Sequence, residues 1–497
     1  MDKEKQAVLI IDEAKGDNQR FVNTPEERAF VRKLNWKVLP LIFFIIMIQF
    51  CDKSALSVAA VLGIFDDTHI TEDQFSWVGS IFYLGYLICQ PLNNYFIQRL
   101  PIARYFGSVL VLWGIVMTMT SFCHNFSQLA ACRFLLGFFE GVSYPCVYIL
   151  LNTLYRRSEQ SFCWGFIGIG TGMGTVIGVV IAYGIAHMEG VAGMHAWRWG
   201  YIIFGIATVV IGVITFFFLI DDTHHRLLHL SEIELEIVEE RTRDNCVVRN
   251  TTIKKEQIWE ALREPRLYLL FFANMLICLE NGGLVTYSTL LVEGLGFSVS
   301  VLFFVYLFGS KMKPNADTKK FTSVILQIPN GVAAAVFAMG AVVIAKWRQQ
   351  NIITAIVMSL TSMIGCILII VIPGTAKLVG FYLTWAMTGV MALLQTIVSN
   401  NVSGYTKRVF YNGVSMVGTT IGNFAGPLAM MGNQGPQKTG ALIGYAVANI
   451  VLIFCLAIVY MLMKRENEDR IRRPAEAKVD VYLDLTDRQD RNIIYKL

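Results

Sequence analysis

Along this chain, about a dozen stretches of roughly twenty apolar residues alternate with short polar loops, and an apolar run of about 18 or more residues is long enough to cross a bilayer as a helix. Hydrocarbon offers no partner for backbone N–H and C=O groups, so each crossing must satisfy its own hydrogen bonds. The sequence therefore reads as an all-α, multi-pass membrane protein whose chemistry lies in the few polar residues on its helices. Of 497 residues, 55% are hydrophobic and 16% charged, where soluble domains carry about 25% charged residues. The net charge of +5 does not indicate nucleic acid, because Lys and Arg flank the apolar runs and set their orientation. Met1 to Lys37 is polar and charged, and no cleavable signal peptide is expected there. The 10 cysteines form no CxxC pair. Cys51, Cys89, Cys132, Cys163, Cys366 and Cys455 fall inside apolar runs and read as small reduced core residues, not as a metal site or disulfides.

Six spans are expected at Val38–Ala60, Gln74–Phe96, Arg104–Phe122, Gln128–Leu150, Phe162–Tyr183 and Trp199–Leu219. Six more follow at Leu267–Leu290, Thr322–Ala345, Ile352–Ile372, Leu378–Val398, Tyr411–Met431 and Gly440–Met463. The layout gives a tail (1–37), a six-helix bundle (38–220), a hydrophilic linker (221–266), a second bundle (267–463) and a closing tail (464–497). Six, a linker, then six again suggests two related halves. Basic clusters at Arg32/Lys33/Lys37, Arg99/Arg104, Arg156/Arg157, Lys346/Arg348, Lys407/Arg408 and Lys464/Arg465 mark one side, and Val61 to Asp73 carries only acids. Both termini are thus expected in the cytoplasm. His195, Lys377 and Lys438 fall in outer loops and are expected to matter little.

Within the spans, Asp52 and Lys53 are the costliest residues, at about 2.5–3.5 kcal/mol each at a helix centre. They read either as a structural neutralising pair or as part of an ion or substrate pathway. Adjacent helical residues diverge by about 100°, so at least one must face another helix or a cavity. Arg133 opens Arg133-x3-Gly137-x3-Gly141, with Glu140 beside it. The glycines read as helix-packing positions. Arg133 either snorkels to the interface or meets a carboxylate, and Glu140 is the better-placed titratable acid. The fifth span holds Gly168, Gly170, Gly172, Gly174 and Gly178, which suit close packing or bending. Glu280-Asn281-Gly282-Gly283 is expected to interrupt the seventh span near a substrate site. Gln327, Asn330, Gln395, Asn400, Asn401 and Asn423 add neutral polar groups, and Pro427 after Gly426 reads as a kink. No phosphate-binding GxxxxGK[ST] loop and no ladder of arginines appears, which disfavours ATP-driven transport and voltage sensing.

These residues resemble the major facilitator superfamily, and more narrowly the fungal anion:cation symporters of the allantoate permease type. The narrower resemblance rests on Gln49-Phe50-Cys51-Asp52-Lys53, Ser76-Trp77, Phe82-Tyr83-Leu84-Gly85-Tyr86, Glu159-Gln160, Trp197-Arg198-Trp199, Asn281-Gly282-Gly283, Thr406-Lys407-Arg408 and Gly422 to Pro427. The acidic-basic loop usual after the second span is reduced here to Asn94 through Arg99, without the acid. The resemblance implies a transporter, not an enzyme, that takes up a small organic anion by proton symport across the plasma membrane, as a monomer in the lipid bilayer. No nucleic acid, metal or cofactor is expected beyond the coupling proton. A nutrient receptor on a transporter fold is the alternative; it would favour a longer signalling tail than Lys464 to Leu497. Expected substrate contacts are Lys53, Arg133, Asn281, Asn401 and Asn423, and expected proton carriers are Asp52 and Glu140. Gly137, Gly141, Lys407, Arg408, Gly426 and Pro427 are expected to serve structure or gating. Val299 to Lys320 departs from the pattern, with four lysines (Lys311, Lys313, Lys319, Lys320) and the apolar run Val301–Phe308 in an outer loop. It reads as translated intron, since Val299-Ser300 permits a GTAAGT donor, or as a hairpin lying on the membrane surface.

Overall fold

A computed structural model describes residue 21 and residues 24–222, 224–245, 254–294, 326–432, 434–435, 438–472, 485–490 and 493–497. The anomalous segment 299–320 lies outside the described residues. Those described fold almost entirely into helices, with no strand among them.

The first half contains α1 (Pro25–Val61), α2 (Glu72–Arg99), α3 (Ile102–Thr120), α4 (Phe126–Glu140), α5 (Ser143–Leu154), α6 (Arg157–Ala186) and α7 (Ala196–Phe218). Local chemistry sets several starts. Thr24 caps α1 ahead of Pro25, Thr71 and Gln74 form a capping box on α2, and Asn125 accepts from the Gln128 N–H on α4. The expected fourth span is two helices. Pro145 has no N–H to offer the carbonyl four residues back, so the ladder opens at Gly141, whose carbonyl accepts instead from Gln90 Nε2 at 3.1 Å.

The linker divides between the halves. In α8 (Glu232–Asn245), Arg241 pairs with Glu27 at 2.9 Å and Glu159 at 2.5 Å, fastening the helix to the first half. In α9 (Lys255–Leu262), Glu260 meets Lys407 at 2.8 Å, fastening it to the second.

The second half contains α10 (Pro265–Gly294), α11 (Ile328–Arg348), α12 (Asn351–Val371), α13 (Lys377–Thr384), α14 (Met387–Asn401), α15 (Tyr405–Ala429) and α16 (Thr439–Arg472). Contrary to the sequence expectation, Asn281-Gly282-Gly283 does not interrupt the seventh span: α10 runs 30 residues without a break. The glycines serve packing, since a methyl group on Gly282 would come within 2.5 Å of the Asn423 carbonyl oxygen on α15. The tenth span breaks instead, between α13 and α14. Among the described residues, 11 candidate spans are long and apolar enough to cross a membrane; α4 with α5 and α13 with α14 each count as one. The remaining expected span, α15, carries Thr406, Lys407, Arg408, Asn412 and Asn423 and is more polar. It lies closely along α10.

The packing is closest within each half, α3 on α7 and α2 on α4 in the first, α10 on α15 and α12 on α16 in the second. Both described termini lie at one end of the helices, where Phe21 N–H donates to Glu240 and the main chain of Lys496 pairs with Asn401. At the far end the halves meet. Ser57 bonds Ser288 at 2.9 Å and Thr289 at 2.7 Å, Tyr287 reaches Ser76 and the Glu72 carbonyl, and Gly432 N–H donates to Asp73 at 2.7 Å. Lys438 pairs with Glu72 at 2.5 Å across the same seam, so a residue expected to be a passive loop lysine joins the two halves.

Candidate functional site

One turn inward from the Ser57 seam, α1 carries Gln49, Asp52 and Lys53. Residues 49 and 53 share a face because they are four apart, and both reach Glu140. Gln49 Nε2 donates to Glu140 Oε1 at 2.9 Å, and Lys53 Nζ lies 3.1 Å from the same oxygen. Glu140 ends α4 at the opening that Pro145 causes, and its side chain is fully buried. Lys53 differs. It sits inside the helical bundle, yet 27% of its side chain is exposed, so it lines an opening in the packing. Phe50 lies under its ammonium at 5.0 Å, and the phenols of Tyr83, Tyr86 and Tyr144 stand close by.

Asp52 turns the other way, as adjacent helical residues must. Its Oδ2 accepts from Trp113 Nε1 on α3 at 2.8 Å. Arg133 donates to the Tyr201 hydroxyl on α7 and stacks on that ring at 5.5 Å. It is buried, which removes the snorkelling reading. Arg133 and Glu140 lie within electrostatic range of Asp52. Among the described residues, Asp52 Oδ1 and Glu140 Oε2 accept no hydrogen bond, leaving each carboxyl an oxygen on which a proton can sit. The structure thus gathers Asp52, Lys53, Arg133 and Glu140 into one cluster. Gln49, Trp113 and Tyr201 complete it; the sequence reading had not assigned these three, although Gln49 stands four residues before Lys53.

Across the bundle, Asn281 Nδ2 donates to Asn423 Oδ1 at 2.7 Å, so these two join each other on the second half. Tyr83 reaches toward this side, near Cys278. Asn401 belongs elsewhere. It sits near the terminus-bearing end, where its side chain bonds the Ile397 carbonyl and both main-chain groups of Lys496. The expectation that it contacts substrate is therefore withdrawn.

Gly137 and Gly141 hold α4 against α2, because a methyl group on Gly137 would overlap the Phe82 carbonyl. Gly426 plays the same part against Leu279, and Pro427 lies within α15. Lys407 is buried among Glu260, Glu264 and Asp487 at 2.8, 2.6 and 2.7 Å, while Arg408 donates to the Val402 carbonyl. The three carboxylates converge as metal ligands would, but the Lys407 ammonium holds their centre. Burial would raise the Asp487 carboxyl, yet Arg266 and Lys407 outweigh it and hold it at about 2. At the far end Asp67 is likewise lowered against its own burial, by Arg198 and the Trp197 N–H.

Comparison with known proteins agrees with this arrangement. Residues 42–427 match the Major Facilitator Superfamily. An uncharacterized transporter of Schizosaccharomyces pombe is 30% identical over 89% of this chain and 86% of its own length. The allantoate permease of Saccharomyces cerevisiae is 29% identical over 100% of this chain and 91% of its own. Among solved structures, a bacterial homologue of the human lysosomal transporter Spinster, inward-facing and unoccupied, superposes with a TM-score of 0.62. It is 13% identical and covers 85% of this chain and 95% of its own. This multi-pass membrane protein is a transporter, not an enzyme, and it belongs to the Major Facilitator Superfamily.

Proposed function

We propose that the protein takes up a small organic anion with a carboxylate group, driven by a proton gradient, with its termini in the cytoplasm and its place in the plasma membrane. The single observation that supports this reading is the shared oxygen of Glu140. Lys53 is the cation that both faces the opening and is held by a buried carboxyl. A proton on Glu140 removes the charge that holds Lys53, and the freed ammonium can then meet the carboxylate of the substrate. When the substrate leaves, Lys53 returns to Glu140 and expels the proton. Coupling in this scheme is competition between two carboxylates for one ammonium.

Asn281 and Asn423 supply amide contacts from the second half, and the three tyrosines supply hydroxyls and ring faces. Arg133, turned onto Tyr201, acts through Asp52 and Glu140 and not by touching substrate. With the termini in the cytoplasm, the Ser57–Ser288 and Glu72–Lys438 seam closes the outward-facing end. Transport then needs that seam to open while the terminus-bearing end closes.

The test is uptake in a permease-deficient fungal host, using labelled allantoate and a panel of carboxylates as competitors. Uptake should rise at acid external pH, collapse with a protonophore, and resist competition by the matching amides and esters. Glu140→Gln should lose accumulation against a gradient while exchange of substrate persists. Accumulation that ignores a protonophore would exclude proton coupling.

A further inference from the structure

A second buried carboxyl stands apart from the cluster just described. Glu280, on α10, is fully buried between α12 and α16. Its Oε2 accepts from Asn449 Nδ2 at 2.7 Å, and Asn449 is itself fixed by Ser359 at 2.8 Å. Its Oε1 lies 2.6 Å from Ser362 Oγ and 3.5 Å from Cys366 Sγ. The other titratable groups that face it are that thiol and the Tyr445 phenol, whose hydroxyl donates to the Gly426 carbonyl at 2.8 Å. Among the described residues no Lys, Arg or His forms an ion pair with Glu280. Isolated buried carboxylates are expensive, and the neutral acid is the form that such a site accommodates.

Proton counting at Ser362 locates the proton. Ser362 Oγ lies within hydrogen-bond distance of two oxygens, Glu280 Oε1 at 2.6 Å and the Thr384 carbonyl at 2.8 Å. A hydroxyl has one proton to give. The carbonyl can only accept, and it is open to Ser362 because the break between α13 and α14 sends the Thr388 N–H to Trp385 instead. Both short contacts are satisfied at once when Ser362 donates to Thr384 and the carboxyl carries a proton that it donates to Ser362. The chain reads Glu280 Oε1–H to Ser362 Oγ, and Ser362 O–H to Thr384 O.

We propose that Glu280 is a second proton-binding site, loaded in this conformation, and that Ser362 links its proton to the break in the tenth span. When the proton passes to water, Glu280 becomes an acceptor only. The Ser362 hydroxyl then turns from Thr384 to Glu280, and the Thr384 carbonyl loses its donor at the hinge between α13 and α14. One proton leaves, one hydroxyl rotates, and no covalent bond to carbon changes. The proposal rests on the proton-coupled reading for its role in transport, but the protonation itself is measured without substrate or gradient.

The experiment is infrared difference spectroscopy of the purified, full-length protein in lipid nanodiscs at neutral pH, with H2O and D2O compared. Subtracting the Glu280→Gln spectrum from wild type should leave a carboxylic-acid C=O band that shifts in D2O. Ser362→Ala should move that band to higher frequency, because the acid loses the hydroxyl it donates to. A difference spectrum holding only carboxylate bands would overturn the proposal, as would an acid band that ignores Ser362→Ala. If Glu280→Gln does not fold, the Ser362→Ala difference decides alone. Uptake that ignores a protonophore would defeat the coupling scheme while leaving this band in place, so the two failures are distinguishable.

Discussion

Replacing Lys53 by Met removes the ammonium and keeps the apolar stem against Phe50, so it isolates the charge. The partner left behind is the informative one. Glu140 has no exposed side-chain surface, and after the substitution, among the described residues, only Gln49 Nε2, at 2.9 Å, still donates to it. Breaking a buried pair by removing one member costs about 3–5 kcal/mol. Because 27% of Lys53 is exposed, the pair is partly wet, and the low end of that range applies here. The expected loss is about 3 kcal/mol at neutral pH. The reverse substitution, Glu140→Gln, strands a lysine that water can reach and should cost about 1 kcal/mol. The double variant should therefore resemble Glu140→Gln, more stable than Lys53→Met alone by about 2 kcal/mol. Cys146, Cys163 and Cys366 are fully buried free thiols, so unfolding in lipid–detergent micelles can be followed by their reaction with a thiol-reactive fluorophore. A Lys53→Met protein as stable as wild type, or one that Glu140→Gln does not rescue, would refute the pairing on which the coupling scheme stands.

Other expectations follow from the same geometry. Lys438→Glu should loosen the far-end seam. The pair is buried on the lysine side but exposed on the Glu72 side, so its worth is at most about 1 kcal/mol. A Ser57→Cys reporter in the seam, referenced to its own rate with Lys438 intact, should then label up to about fivefold faster with an impermeant thiol reagent, and adding Glu72→Lys should reverse the change; an unchanged rate would show that the pair does not hold the seam. The Asp487 carboxyl is held at about 2 against an ordinary 3.8, which corresponds to about 2 kcal/mol of anchoring for residues 485–490 and 493–497. A lowered carboxyl stabilises above its unfolded value, so this anchoring is complete above about pH 4 and disappears as pH falls toward 2. Asp487→Asn should abolish it at neutral pH, measured as lost amide protection in that segment. Gly137→Ala forces a methyl into the Phe82 carbonyl and should cost about 1–3 kcal/mol. Gly184→Ala, with nothing within 4 Å of the new methyl, should leave the melting temperature within a degree or so of wild type or slightly higher.

What the sequence made legible follows from how strongly each signal is local. Helical spans are long one-dimensional runs, so their order could be read directly, with α15 alone too polar to join the 11 candidate spans among the described residues, and Asp52, Lys53, Arg133 and Glu140 stood out because charge inside such runs has few excuses. Where the outcome depended on what lies across the bundle, the reading failed. Asn281-Gly282-Gly283 looked like an interruption, but those glycines accommodate α15 and leave α10 continuous. Asn401 looked like an intramembrane amide, yet it anchors the main chain near residue 496, 95 positions away. Lys438 looked like a loop lysine, and its partner is 366 positions earlier. Pro145 was within reach, since a proline four residues after Gly141 predicts the opening that places Glu140. Glu280 was not. In sequence it is one acid in an apolar run; its meaning depends on Ser362 having two acceptors and one proton, and one of those acceptors exists only because a helix breaks without proline 22 residues further on. Within the apolar spans, the buried acid Glu140 is thus paired with a lysine, whereas the buried acid Glu280 has neutral partners alone. Charge drew attention to the first, but only the count of hydrogen atoms reveals the second.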